Sequence, residues 1–184
     1  MGGVKAIKAM SAPYGSVKFL PTGGVNEANL LDYLSLAKVV ACGGSWMVDQ
    51  QAIEAGDWQR IERLTRSAVE LMLGLELKHV GVNSGSPEAA ARDAELLCRL
   101  LGWEVKDGSK SVFCGAGFEL MKQPFRGTHG HIAIGCHHIL RAKWHLERRG
   151  FAFDEDSATV KNGALKAIYL KDEVAGFAIH LLQK

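Results

Sequence analysis

Long hydrophobic runs are missing from this chain of 184 residues. None approaches the ~20 apolar residues that a membrane-spanning helix needs, so no membrane association is expected. A surplus of one charge is missing as well. The net charge of +2 gives no reason to expect nucleic acid or an anionic membrane as partner. Cysteine is sparse, at Cys42, Cys98, Cys114 and Cys136, and no two form a C-x-x-C pair. That usage implies reduced, buried thiols and a cytoplasmic location. The amino terminus, Met1-Gly2-Gly3-Val4-Lys5, lacks the apolar core of a secretory signal, because Lys5 and Lys8 interrupt it. What remains is ordinary for a soluble globular chain, with 47% hydrophobic and 23% charged residues. The length suits one domain or two.

The chain has two rhythms. Up to about residue 74 helix and strand alternate: helix from Val4 to Met10, strand from Val17 to Thr22, helix from Ala28 to Leu36, and strand from Lys38 to Cys42. A long amphipathic helix is then predicted from Asp49 to Leu73, its face marked by Ile53, Trp58, Ile61, Leu64, Val69 and Met72. Parallel strands joined by helices belong to a β/α sandwich or barrel. Two strands cannot close a barrel, so residues 1–74 read as a truncated one. From Leu75 the order becomes strand, helix and three short strands, and it then repeats. The period, from His79 to His131, is 52 residues. The expected class is α/β followed by α+β, with a boundary between 74 and 75.

Two apolar runs in the first part end in glycine pairs. They are Val17 to Leu20, leading into Pro21-Thr22-Gly23-Gly24, and Val39 to Cys42, leading into Gly43-Gly44-Ser45. Glycine lets an anion approach the backbone closely, and a following helix would aim its positive end at the same spot. An anion cradle at two neighbouring strand ends is the functional reading. Tight strand-to-helix turns without a ligand are the structural one.

The stretches Gly2-Gly3-Val4-Lys5-Ala6, Leu20-Pro21-Thr22-Gly23-Gly24-Val25 and Gly43-Gly44-Ser45-Trp46 resemble the carboxyl-terminal part of the 2-keto-3-deoxy-6-phosphogluconate and 2-keto-4-hydroxyglutarate (KDPG/KHG) aldolase family. The resemblance implies the last two strands and helices of a (β/α)8 barrel, usually trimeric, that cleaves a phosphorylated keto acid through a lysine Schiff base without a cofactor. It maps Thr22, Gly23, Gly24, Gly44 and Ser45 to the substrate and phosphate pocket. In the family the Schiff-base lysine lies on the strand just before the Gly-Gly-Val-Lys-Ala stretch, and no such position precedes Gly2 here. Lys18 is no substitute, since four strand residues before Thr22 place it about 13 Å toward the wrong end. No catalytic residue is therefore assigned, and this part is expected to bind without cleaving.

Leu77-Lys78-His79-Val80-Gly81-Val82, Phe118-Glu119-Leu120-Met121, Gly130-His131-Ile132-Ala133-Ile134 and Phe177-Ala178-Ile179-His180-Leu181-Leu182 resemble the vicinal oxygen chelate fold. Glyoxalases, extradiol dioxygenases and bleomycin-resistance proteins share that fold, a pair of βαβββ units. Its metal-binding members take one ligand from the first and last strand of each repeat, which here means His79, Glu119, His131 and His180. Independently, each of these is a polar side chain in an apolar or alternating strand, where an inward-facing group needs a partner. Three imidazoles and a carboxylate suit Zn, Ni, Mn or Fe. His180 departs from the family pattern, which commonly has glutamate there. A metal centre and a metal-free, histidine-lined cleft both stand as readings.

Three functions follow as expectations. The first is the phosphate-binding portion of a KDPG/KHG-type aldolase with an appended oxygen-chelate domain. The second is a metal-dependent glyoxalase- or dioxygenase-like enzyme using residues 75–184. The third is a non-catalytic module for small phosphorylated acids. A bare strand edge on the incomplete barrel favours a homo-oligomer.

Overall fold

Phe19 and Val39 meet as a parallel pair, with the Phe19 N–H donating to Lys38 O at 2.8 Å and the Val40 N–H to Phe19 O at 3.0 Å. Around that pair the computed structural model, which describes residues 2–184, builds a first unit ending at Met72; the second unit is Leu73–Lys184. Helix α1 (Gly3–Ser11) buries Ile7, and the short α2 (Leu30–Leu34) buries Leu30 and Leu34. Together with Val25 and Val39 they form the unit's core, against which Phe19, Tyr33 and Trp46 pack.

Two expectations for this unit need correction. The strands from Val17 to Thr22 and from Lys38 to Cys42 reduce to the single Phe19–Val39 bridge. Pro21 has no N–H to extend the ladder, and outward residues such as Leu20 and Val40 are exposed, with no further strand beside them among the described residues. The long helix from Asp49 to Leu73 is two helices, α3 (Gln50–Glu54) and α4 (Trp58–Leu73). Gly56 adopts φ +65, which ends the first. Asp57 then caps the second, its carboxylate accepting from Arg60 N at 2.9 Å.

The second unit is one eight-stranded sheet made by two strand-helix-three-strand modules. The first comprises β1 (Glu76–Asn83), α5 (Pro87–Leu101), β2 (Val105–Asp107), β3 (Ser111–Cys114) and β4 (Phe118–Met121). The second comprises β5 (Gly130–Cys136), α6 (Ile139–Glu147), β6 (Phe153–Lys161), β7 (Ala164–Val174) and β8 (Phe177–Gln183). The strand order is β2-β3-β4-β1-β5-β8-β7-β6. The first strand of each module pairs parallel with its own last strand, and β1 and β5 join antiparallel at the centre. Local chemistry sets the helices. Ser86 caps α5 with Pro87 at its first position, and Gly102 closes it in the left-handed region. His138 caps α6 by accepting from Arg141 N.

Strand alternation gives the sheet two unlike faces. On one, Ala90, Ala94 and Cys98 of α5 bury against Val112, Cys114 and Leu120. The register places His79, Gly81, Glu119, His131, His180 and Tyr169 on the other. The expectation of four reduced thiols also fails. Cys98 and Cys114 are joined as a disulfide, their Cα atoms 5.5 Å apart, because α5 lies directly on β3. Cys42 and Cys136 remain thiols.

Candidate functional sites

In the first unit the two glycine turns lie side by side. Gly43 N donates to Pro21 O at 2.9 Å, and a Cβ on Gly43 would stand 3.0 Å from the Thr22 methyl. Gly23 and Gly24 adopt φ +75 and +73 with open space around them, so conformation alone demands glycine there. Gly44 is glycine for another reason: a Cβ would enter the Trp46 ring, at 1.6 Å from Cζ3. Asn29 ties down the first turn, donating from Nδ2 to Gly24 O at 3.0 Å. Among the described residues, the backbone N–H groups of Gly23, Gly24, Gly44 and Ser45 donate to no protein acceptor. The helix expected from Ala28 starts only at Leu30, and Ser45 opens a single 3-10 turn, Ser45–Met47. The open amides, rather than a helix end, are what this site offers an anion.

In the second unit the sheet brings three separated histidines together, with Glu119 beside two of them. The Nε2 atoms of His79 and His131 are 3.2 Å apart. Glu119 Oε2 lies 3.4 Å from the first and 3.2 Å from the second. The nearest ring nitrogen of His180 falls within 4.8 Å of those of His79 and His131. His131 and His180 are buried, at 3% and 6% exposure. His131 Nδ1 and both ring nitrogens of His180 are buried without a hydrogen-bond partner, an arrangement that costs roughly 1–3 kcal/mol per group if nothing fills it.

These distances bear on whether an ion fits. Four ligands at ~2.1 Å around a tetrahedral centre stand about 3.4 Å from one another, close to the separations among His79, Glu119 and His131. Protonation is also suitable. Burial holds His79 and His180 below the ordinary imidazole range, His180 near 4, so both are neutral at pH 7. Burial alone would raise the Glu119 carboxyl, but hydrogen bonds with His131 and Ser111 outweigh it and hold the group low, hence ionised. Neutral imidazoles beside a carboxylate are the forms that ligate a divalent metal.

Around this cluster stand residues that sequence reasoning missed. Ser111, 3% exposed, donates to Glu119 Oε1 at 2.6 Å and leaves Oε2 facing the histidines. Tyr169 stacks on His180 with ring centres 4.6 Å apart, and burial pushes its phenol to about 12. Phe125 meets both His131 and Tyr169 edge-on. The signal for Ser111 was a hydroxyl opening the apolar strand Ser111-Val112-Phe113-Cys114. The others depend on strand register that no local pattern reveals. A separate apolar hollow of about 390 Å³, lined by Ile134, Leu146, Phe151, Ile179 and Leu181 among others, lies on the helix-bearing face, away from the histidines.

Residues 1–64 match the family model described as KDPG and KHG aldolase. Over 69 residues the chain is 54% identical to the KHG/KDPG aldolase of Escherichia coli (strain K12), a stretch covering 38% of this chain and 32% of that protein. Over 74 residues it is 50% identical to the 2-dehydro-3-deoxy-phosphogluconate aldolase of Pseudoalteromonas atlantica (strain T6c / ATCC BAA-1087), covering 40% of this chain and 34% of that protein. The chain therefore spans about a third of the length of the curated relatives it matches. Among solved structures, the hypothetical protein BH1468 from Bacillus halodurans C-125 superposes with a TM-score of 0.43 at 18% identity, over 60% of this chain and 94% of that one. The E323L mutant of homoprotocatechuate 2,3-dioxygenase from Brevibacterium fuscum superposes with a TM-score of 0.41 at 13% identity, over 59% and 32%. No described helix is long and apolar enough to cross a membrane.

Proposed function

We propose that the first unit is the phosphate-binding, carboxyl-terminal part of a KDPG/KHG-type class I aldolase, to which the second is appended as a vicinal oxygen chelate domain. The whole enzyme would cleave 2-keto-3-deoxy-6-phosphogluconate to pyruvate and glyceraldehyde 3-phosphate, as a cytoplasmic homotrimer. Thr22, Gly23, Gly24, Gly44 and Ser45 would hold the phosphate. One observation carries this reading: two abutting glycine turns, with open amides, occur inside residues 1–64, which match the aldolase family model. Backbone amides bind phosphate without needing a cation, and they do so at close range only where glycine leaves the backbone bare.

Cleavage requires a neutral lysine beside the keto group. Lys38 is engaged elsewhere, its Nζ donating to the carbonyl oxygens of Ser11 and Tyr14 at 2.5 and 2.9 Å. On this reading the unit binds phosphate and does not cleave by itself. Borohydride reduction in the presence of pyruvate is expected to leave the mass of this chain unchanged. A pyruvate adduct on any lysine would overturn the assignment.

The four-residue cluster favours a second reading, in which the second unit is a metal-dependent enzyme of the glyoxalase or dioxygenase kind. His79, Glu119, His131 and His180 would hold Zn, Ni, Mn or Fe, and the orphaned nitrogens of His180 support that. A bound ion would polarise an oxygen ligand as a Lewis acid. Ser111 would fix the Glu119 carboxylate, and Tyr169 the His180 ring. Metal analysis of the purified chain is expected to find one divalent ion per chain, lost in His79→Ala. Substoichiometric metal that the variant leaves unchanged would rule this reading out.

A further inference from the structure

We infer that the β6–β7 hairpin carries a spontaneous modification site, at which Asn162 closes on the Gly163 amide and loses its side-chain nitrogen as ammonia. The products are aspartate and its isoaspartyl isomer, so the turn gains a negative charge with time.

Of the four asparagines in the chain, three are held by their side chains. Asn26 Oδ1 accepts from Ala28 N at 3.0 Å, and Asn29 accepts from Asn26 N at 2.8 Å while donating to Gly24 O. Asn83 accepts from Phe125 N at 3.0 Å and donates to Gly127 O at 2.9 Å. Asn162 differs: it is exposed, and its side chain has no partner among the described residues. Asn162 and Gly163 adopt φ +50 and +71, the two positive values that a two-residue turn between the paired Lys161 and Ala164 needs. Such a turn leaves its central amides outside the ladder. Among the described residues Gly163 N has no acceptor.

Ring closure needs an unengaged amide nitrogen, an unheld side-chain amide and room for both. The Gly163 N–H gives its proton to hydroxide, and the nitrogen bonds to Asn162 Cγ. The Cγ–Nδ2 bond breaks, and Nδ2 takes a proton from water to leave as ammonia. A five-membered imide remains, and water adds to one of its two carbonyls. Opening at Cγ yields aspartate; opening at the backbone carbon yields isoaspartate, with the chain routed through the former side chain. Gly163 has no Cβ to crowd the ring, and the space where one would stand is open. Asp107-Gly108 is the contrast within the same chain. There Gly108 N donates to Ser111 O at 2.9 Å, and Asp107 Oδ1 pairs with Lys122 Nζ at 2.7 Å. An ionised carboxylate beside an engaged amide is a poor electrophile. Asp-Gly suits the same turn, so aspartate at 162 keeps the hairpin, whereas isoaspartate adds a backbone carbon and opens the Lys161–Ala164 pairing.

The test incubates the full chain at mildly alkaline pH in oxygen-18 water, folded or in urea, and maps its peptides by mass. In the folded chain the peptide holding Asn162 is expected to gain one heavy oxygen and to split into aspartyl and isoaspartyl forms. Its folded rate should stay within about threefold of the rate in urea, as for any segment that opens at little cost. Asn83, held by two hydrogen bonds, should convert at least about tenfold more slowly folded than in urea. Asn162→Gln should remain unmodified, because its extra methylene disfavours the five-membered ring. A folded rate at Asn162 further below the urea rate than that would show that the turn shields it, and would overturn the inference. So would aspartate as the sole product, which marks direct hydrolysis, or equal protection by folding at Asn162 and Asn83.

Discussion

Ser111 shows how much of the second site rests on one hydroxyl. By donating to Glu119 Oε1 it leaves Oε2 as the oxygen that faces His79 and His131. Removing such a partner behind a ligand commonly weakens metal binding 10- to 100-fold. Ser111→Ala is therefore expected to lower Co(II) affinity by at least tenfold and to alter the cobalt spectrum, with Ser111→Thr restoring both. An unchanged spectrum in Ser111→Ala would refute the role. His180 gives a pH dependence whose sign is fixed. Its folded value near 4 lies below the ordinary 6.5, so the unfolded chain binds the proton first. The stability this residue confers is full above pH 6.5 and is lost as pH falls toward 4. The slope approaches about 1.4 kcal/mol per pH unit. Denaturant melts of metal-free protein between pH 7 and 4 should show the loss, and His180→Phe should flatten it. Cys136 is buried, and burial raises its thiol to about 11. Alkylation at pH 8 should modify Cys42, the partly exposed thiol, well before Cys136. The four cluster residues were legible in the sequence because each interrupts an apolar strand. Tyr169 and Phe125 were not, since strand register and a loop place them beside the histidines.

Elements were readable where hydrophobic period and end signals agreed. Ser86, Pro87 and Gly102 bracket α5, and the expected order of strand, helix and three strands occurs twice. The reading failed where one residue outweighed a good period. Gly56 and Asp57 divide the apolar stripe from Ile53 to Met72 into two helices despite its continuity. Asp57→Ala should then cost about 1 kcal/mol, measurable as a lower denaturation midpoint for the first unit. Gly130 makes a stronger demand. At φ +135 a Cβ would lie 2.0 Å from Gly81 O, inside the central β1–β5 pairing. Gly130→Ala should destabilise the second unit by more than about 2 kcal/mol. A neutral effect in urea melts would show that the pairing is more pliable than its geometry implies.

At the scale of the whole molecule, the 52-residue repeat was enough to anticipate two matching modules. It could not show that β1 and β5 meet antiparallel and merge them into one sheet, which is what collects ligand candidates from both modules. Nor could it show the Cys98–Cys114 bond, because residues sixteen apart come together only when α5 settles on β3. The two units should also respond to different ligands. A divalent metal at a hundredfold excess over Kd stabilises the state that binds it by about 2.7 kcal/mol, so Co(II) should raise the unfolding transition of residues 73–184 and leave that of the first unit in place. The first unit's role rests on the open amides of its abutting turns. Titrating the isotopically labelled chain with glyceraldehyde 3-phosphate, and reading the backbone amide resonances, tests that role most directly. Saturable shifts centred on Gly23, Gly24, Gly44 and Ser45 are expected, together with their loss in Gly23→Val. Shifts that never saturate, or that fall elsewhere on the chain, would contradict it.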